Sequence, residues 1–164
     1  MTRAMEHGWR NALVEHLPAI SAVSDAVHGR YSENIAVYAE RLSLYPQGCF
    51  VFAWKGDVAG YLISHPASRG CLPHLGDLLG ALPAQPDAYY LHDVVLLPTA
   101  RGLGAGGAAT RLTVDLARAG GFGEICLVAL GGLEDYWSSQ GFSPVPERVD
   151  ASYGAGARLM RRPV

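Results

Sequence analysis

A glycine-rich turn in the middle of the chain lies between an almost wholly apolar run and a helical pattern. The apolar run covers residues 89–97, and the helical pattern covers residues 105–119, where apolar side chains recur every three or four positions. An anion binds well at such a turn, because the first N–H groups of a helix have no partners and the helix dipole is positive there. Glycines have no Cβ, so a bulky anion can also approach the backbone closely. The turn at residues 98–107 therefore predicts a phosphate-binding site between a central strand and a helix.

Composition limits the classes of protein that this chain can belong to. Among its 164 residues 49% are hydrophobic and 17% are charged, which predicts one globular domain over residues 1–164. The net charge of −2 gives no electrostatic reason to expect a nucleic-acid partner. The three cysteines have no CxxC spacing, so neither a disulfide framework nor a metal site is expected. Residues 1–10 lack an apolar signal core, and no apolar run has membrane-spanning length. We therefore expect a soluble, cytoplasmic protein without a membrane partner.

Periodicity and turn residues divide the remainder of the chain into short elements. The segment 65–88 is rich in Pro and Gly and is expected to form a loop beside a binding site. The other expected elements are strands at 9–14, 49–54, 58–64, 124–130, 142–145 and 157–160, and helices at 17–28, 32–44, 74–82 and 133–140.

Two common phosphate-binding motifs fit the turn poorly. A P-loop needs a lysine after its last glycine, whereas Gly107 is followed by two alanines and a threonine. Gly102, Gly104 and Gly107 formally match the dinucleotide motif G-x-G-x-x-G. However, residues 98–101 separate these glycines from the strand, and the next strand ends in Gly131 rather than an acid. A nicotinamide-dependent oxidoreductase is therefore the less favoured alternative.

A third motif fits better. Residues 101–106, RGLGAG, match R-x-x-G-x-G, and residues 96–102, LLPTARG, lead into it. Residues 136–142, YWSSQGF, end in the pattern aromatic-x-x-x-Gly-Phe. Together these segments resemble the GNAT superfamily of N-acetyltransferases, most strongly over residues 89–142. The resemblance implies an α/β (α+β) fold, with a mixed, mostly antiparallel sheet of six to seven strands. It also implies a splayed parallel pair of strands and helices on both faces of the sheet.

The resemblance implies acetyl-CoA as cosubstrate and no metal. The pyrophosphate would bind the amides of the turn, and the pantetheine arm would lie between the strands at 89–97 and 124–130. The residues implied at the cofactor are Val94, Val95, Leu96, Arg101, Gly102, Leu103, Gly104, Ala105, Gly106, Gly107 and Trp137.

Acetyl transfer needs a group that protonates the departing thiolate. Many members of the superfamily carry a tyrosine four residues before the glycine of Gly-Phe, where this chain has Trp137. An indole is not a useful acid, so Trp137 is expected to pack on the pantetheine or in the core. Tyr136, one position earlier on the helix, is the candidate acid, and Tyr153 is a second one. The thiolate could also leave unassisted or take its proton from water.

The acceptor amine must also lose a proton, because an alkyl ammonium has a pKa of roughly 10. His92 lies in the central strand where several members of the superfamily carry a catalytic glutamate, and an imidazole can accept a proton near pH 7. Asp93 is a further catalytic candidate, although it should face the other side of the strand unless a bulge intervenes. One of the two could instead be a buried group with only a structural role. Glu134 is a base candidate that would act through water.

We expect the transfer of an acetyl group to a primary amine of an unidentified small molecule or protein, by direct attack in a ternary complex. The alternative is a non-catalytic acyl-CoA-binding module, because the usual tyrosine is missing. The acceptor pocket is expected between the first two helices and the segments 65–88 and 143–157, and a homodimer is possible. Carboxylates and a histidine that could attract a cation there are Asp25, Glu33, His65 and Asp93. The remaining histidines, His7, His16, His28 and His74, are expected on surface helices or loops.

Overall fold

The computed structural model describes residues 7–164. Residues 1–6, most of the segment that is expected to lack a signal core, lie outside the described residues. Within the described range, the helices and strands alternate irregularly along the chain. In chain order they are β1 Gly8–Asn11, α1 Leu17–His28, α2 Ile35–Leu44, β2 Cys49–Trp54, β3 Asp57–Ala67, β4 Ala88–Leu96, α3 Ala105–Ala119, β5 Glu124–Ala129, α4 Glu134–Ser139, β6 Ser143–Pro144 and β7 Arg158–Pro163.

The strands form one mixed sheet in the order β1-β2-β3-β4-β5-β7-β6. Neighbours are antiparallel except β4 and β5, which are parallel. This parallel pair is joined only near its start, where Tyr89 and Tyr90 face Ile125 and Cys126. Because β4 continues to Leu96 without β5 beside it, the two strands separate toward their carboxyl ends. The expected mixed, mostly antiparallel sheet with a splayed parallel pair is confirmed.

Helices cover both faces of the sheet because side chains alternate along each strand. On β2, Val51 belongs to a buried cluster with Ile20 of α1 and Tyr38 of α2. Its neighbour Phe50 belongs to a second cluster with Val114 of α3. The strands between the two helical layers are therefore largely buried on both sides, and β4 contacts both α1 and α3. No helix among residues 7–164 is long and apolar enough to cross a membrane.

The expected helix at residues 74–82 is absent, and this prediction was wrong. Gly76 and Gly80 have φ values of +86° and +74°, which a right-handed helix does not allow. In addition, the backbone N–H groups of this segment donate to side chains of other elements. Gly76 donates to Glu33, and Leu79 and Gly80 donate to Glu40. These side chains therefore replace the carbonyl partners of a helix and hold the segment against α2.

Candidate active site

A cleft of about 550 Å³ lies between the end of β4, the first turn of α3 and α4. The cleft opens where the end of β4 is no longer paired with β5. Ten of the eleven residues expected at the cofactor line this cleft, and Leu103, which is 48% exposed, does not. The full lining is Val27, His28, Val94, Val95, Leu96, Arg101, Gly102, Gly104, Ala105, Gly106, Gly107, Leu133, Tyr136, Trp137 and Gln140.

The glycine-rich turn forms the polar end of the cleft. Gly102 and Gly104 have φ values of +79° and +78°, and Gly104 is the N-cap residue of α3. No other residue lies within 4 Å of the position that a Cβ would take at either glycine, so the turn is open to a bulky group. The Arg101 Nε donates to the Leu96 carbonyl over 3.0 Å, which fixes the turn to the end of β4. The open turn at the amino end of a helix suits an anion.

Tyr136 and Trp137 of α4 both line the cleft. Trp137 is buried and packs edge-on against Phe142, with 5.5 Å between ring centroids. The Tyr136 ring is partly exposed, and a Cβ on Gly106 would overlap its hydroxyl group. The Tyr136 hydroxyl therefore lies beside the first turn of α3, at the polar end of the cleft.

A β-bulge brings His92 and Asp93 to the same side of β4. In the pairing with β3, Asp93 faces Ile63 and Leu91 faces Ser64, so His92 is an extra residue without a partner. Both side chains line one small polar pocket. A bulge therefore does intervene, and the two side chains do not face opposite sides as they would in a regularly alternating strand.

Asp93 forms an ion pair with His28, the last residue of α1. The His28 Nε2 lies 3.0 Å and 3.2 Å from the two carboxylate oxygens, and the Tyr61 hydroxyl donates to one of them over 2.5 Å. Burial lowers the pKa of His28, but the hydrogen bond and charge of Asp93 and the charge of Glu33 outweigh it, so the pKa is raised. Among the described residues, none bonds to the other ring nitrogen, Nδ1. His28 is thus a largely buried imidazole held by a carboxylate, not the surface histidine that was expected.

A second histidine–carboxylate pair lies beside the first. The His92 Nε2 is 2.5 Å from a Glu33 oxygen, and both side chains are almost fully buried. The other Glu33 oxygen accepts the Gly76 N–H over 2.8 Å. Burial would raise the pKa of Glu33, but the charge and hydrogen bond of His92 and the Gly76 amide lower it. The His92 Nδ1 is buried without a hydrogen-bond partner among the described residues.

The polar pocket around these pairs has a volume of about 40 Å³. His28 lines both this pocket and the cleft, so the two spaces are adjacent. The lining is His28, Tyr31, Glu33, Leu75, His92, Asp93, Val128, Leu130 and Tyr153. Two carboxylates and two imidazoles in so small a space can hold an ammonium group and accept a proton from it.

Three other residues considered from the sequence lie outside the polar pocket. Asp25 accepts a hydrogen bond from Ser32 at the surface. His65 is buried in β3 and lines a different cavity. Glu134, at the start of α4, faces Arg158 over 3.8 Å. Within residues 7–164, no group of three or more His, Cys, Asp or Glu side chains could hold a metal ion.

Comparison with known proteins agrees with this architecture. The sequence profile described as the Acetyltransferase (GNAT) family matches residues 12–136. The profile spans the segment from the start of α1 to α4, including the whole lining of the cleft up to Tyr136. The chain therefore belongs to the GNAT family of acetyltransferases. A search of the curated proteins found no match.

Solved structures with this fold resemble the chain over almost its full length. Ard1 from Thermoplasma volcanium has a TM-score of 0.74 at 14% identity, over 98% of this chain and 99% of that one. GphF, a GNAT-like decarboxylase in complex with isobutyryl-CoA, has a TM-score of 0.75 at 17% identity, over 96% and 99%. Arabidopsis thaliana Naa50, in complex with the bisubstrate analogue CoA-Ac-MVNAL, has a TM-score of 0.71 at 12% identity, over 96% and 99%. At these identities the likeness shows the fold alone.

Proposed function

We propose that this protein transfers an acetyl group from acetyl-CoA to a primary amine by direct attack in a ternary complex. The observation that carries this proposal is the position of His28, which borders both the cleft and the polar pocket and is paired with Asp93 of the pocket. A base at this junction can act on an amine in the pocket while a thioester lies in the cleft. Family membership supports acyl transfer in general, and the pair supports an amine as acceptor.

The cleft suits the shape and charge of acetyl-CoA. The pyrophosphate would bind the backbone N–H groups of residues 102–107, where the glycines leave space for it. The pantetheine arm would lie along Val94, Val95 and Leu96 of β4, whose neighbour β5 has diverged. We assign the Tyr136 hydroxyl to the phosphate end of the cofactor, because it lies beside Gly106. Trp137 would pack against the arm.

In the proposed reaction, His28 takes the proton from the acceptor ammonium. The free amine attacks the thioester carbon, the C–S bond breaks as the proton on His28 passes to the departing thiolate, and the second proton on the attacking nitrogen is lost to water. Asp93 is a positioning residue that holds the His28 ring and stabilises its protonated form. His92 was the expected base, but its Nε2 is bonded to Glu33 and its Nδ1 is buried. We propose that His92 holds Glu33 ionised beside the ammonium.

The pH dependence of kcat tests the role of Asp93. His28 must be neutral to act as a base, and its pKa is raised above the usual 6.5. In the wild type, kcat should therefore increase with pH until the pH exceeds this raised pKa. In Asp93→Asn the stabilising charge is lost while burial continues to lower the pKa of His28, so the acidic limb of the kcat profile should move to lower pH. An unchanged limb would contradict the assignment, and Asp135→Asn, at the exposed start of α4, is the matched control.

The alternative is a non-catalytic acyl-CoA-binding module of the same fold. It is favoured by Trp137, which is buried at the position where the superfamily often has a tyrosine. Tight acetyl-CoA binding without turnover on any of a broad set of amines would favour this alternative.

A further inference from the structure

The segment of residues 72–80, called the strap below, is irregular but tightly fixed. Within the part of the chain that the structure describes, six hydrogen bonds tie it to side chains of other elements. Its N–H groups donate to Ser152, Glu33 and Glu40, and its carbonyls accept from Arg41 and Tyr153. The bonds are Leu75 N to Ser152 Oγ (2.9 Å), Gly76 N to Glu33 Oε2 (2.8 Å), Leu79 N and Gly80 N to Glu40 (2.5 Å and 3.0 Å), Arg41 to Asp77 O (3.1 Å) and Tyr153 to Pro73 O (2.6 Å).

The strap closes one side of the polar pocket. Leu75 is part of the pocket wall, and Gly76 is bonded to the same Glu33 carboxylate that binds His92. With the strap in place, the volume of about 40 Å³ admits an ammonium group and little else. A polypeptide backbone cannot continue from an amine in this pocket through the position that the strap fills.

A larger cavity lies next to the polar pocket and under the other end of the strap. Its volume is about 500 Å³, between residues 69–74 and 147–153, and it shares Val128 and Tyr153 with the polar pocket. Its lining is mixed: Leu72, Val128 and Leu159 are apolar, whereas Arg69, His74, Glu147, Arg148 and Asp150 are polar or charged. This volume lies within the range of pockets that bind small molecules. The two adjoining spaces together suit an amine head and a compact, partly apolar body.

We infer that the acceptor is a compact primary amine with a partly apolar body, not the amino terminus of a polypeptide. The inference rests on the proposed function, because it concerns the acceptor of the same reaction. The ammonium lies among Glu33, Asp93 and His28, and the body lies in the cavity lined by Leu72 and Val128. The strap, fixed by side chains of α2 and of the loop before β7, excludes a longer chain.

Binding measured without turnover tests this inference. Calorimetric titration of the protein saturated with CoA would compare phenethylamine with the peptide Phe-Ala-Ala-Ala-amide, which carries the same side chain. We expect phenethylamine to bind about tenfold more tightly or better, because the peptide backbone meets the strap. Equal or tighter binding of the peptide, or no binding of either ligand, would overturn the inference. Since CoA has no acetyl group, a failure of catalysis does not affect this result, and thiol release from acetyl-CoA tests the proposed function separately.

A loosened strap provides the second measurement. The double variant Ser152→Ala/Glu40→Gln removes the acceptor of the Leu75 N–H and weakens that of the Leu79 and Gly80 N–H groups. Amide hydrogen exchange at Leu75, Leu79 and Gly80 should become faster in this variant. The preference for phenethylamine over the peptide should then fall about fivefold or more. The control Ser43→Ala/Glu15→Gln changes the same residue types at exposed positions away from the strap and should leave the preference unchanged. An unchanged preference despite faster exchange would overturn the inference.

Discussion

The variant His28→Ala is expected to lower kcat by about 100-fold or more, the usual effect of losing a general base. His28 lies between the cleft and the polar pocket, and its raised pKa makes it a stronger proton acceptor than an ordinary imidazole. The affinity for CoA should change by less than about twofold, because the phosphate-binding turn is untouched. Steady-state thiol release and calorimetry with CoA would measure the two quantities.

Two further variants distinguish a base from a structural side chain at position 28. The glutamine amide in His28→Gln occupies the place of Nε2 and can still donate a hydrogen bond to Asp93, but it cannot accept the proton, so this variant should be as inactive as His28→Ala. His7→Ala is the matched control, because His7 packs against Trp54 and does not line the cleft. Near-normal kcat in His28→Gln would contradict the proposed role of His28.

The variant Gly104→Asp is expected to weaken CoA binding by about 100-fold, or roughly 2.7 kcal/mol. Gly104 is the N-cap residue of α3 at φ +78°, at the centre of the phosphate-binding turn. Aspartate tolerates this backbone conformation and caps helices well, so the fold should survive. Its carboxylate, however, would repel a phosphate and occupy the space that the glycine leaves open. Calorimetric titration with CoA measures the loss.

Gly121→Asp is the matched control for this prediction. Gly121 also has a positive φ, +77°, and no other residue lies within 4 Å of its Cβ position. It follows the carboxyl end of α3, so the same substitution introduces similar backbone strain far from the turn. Equal losses of CoA affinity in the two variants would show that strain or net charge, not the phosphate site, causes the effect.

Regular elements with a strong local pattern could be predicted from the sequence. Residues 17–28 and 105–119 were expected as helices, and α1 and α3 have these bounds. These helices could be predicted because their signals are local: apolar residues recur every three or four positions, and a glycine follows each helix. The glycine-rich turn could be found for the same reason, because its residues are contiguous and their amides belong to one helix end.

The catalytic half of the candidate site depends on contacts between distant segments. The bulge that turns His92 and Asp93 to one side arises from the register of β4 against β3, which local alternation does not encode. His28 had one overlooked signal, because it follows Ile20 and Ser24 at four-residue intervals, and both are buried on the inner face of α1. The strap could not be foreseen, since the side chains that replace its helical hydrogen bonds come from α2 and from residues 152–153.

Mass spectrometry of the reaction with deuterated acetyl-CoA tests the central claim most directly. The protein would be incubated with acetyl-CoA carrying a deuterated acetyl group and a panel of small primary amines that includes phenethylamine. We predict an amide that contains the deuterated acetyl group, formed in equal amounts with free CoA and about 100-fold or more slowly by His28→Ala. Acetyl-CoA that binds without forming any labelled amide, or CoA released without one, would contradict the account.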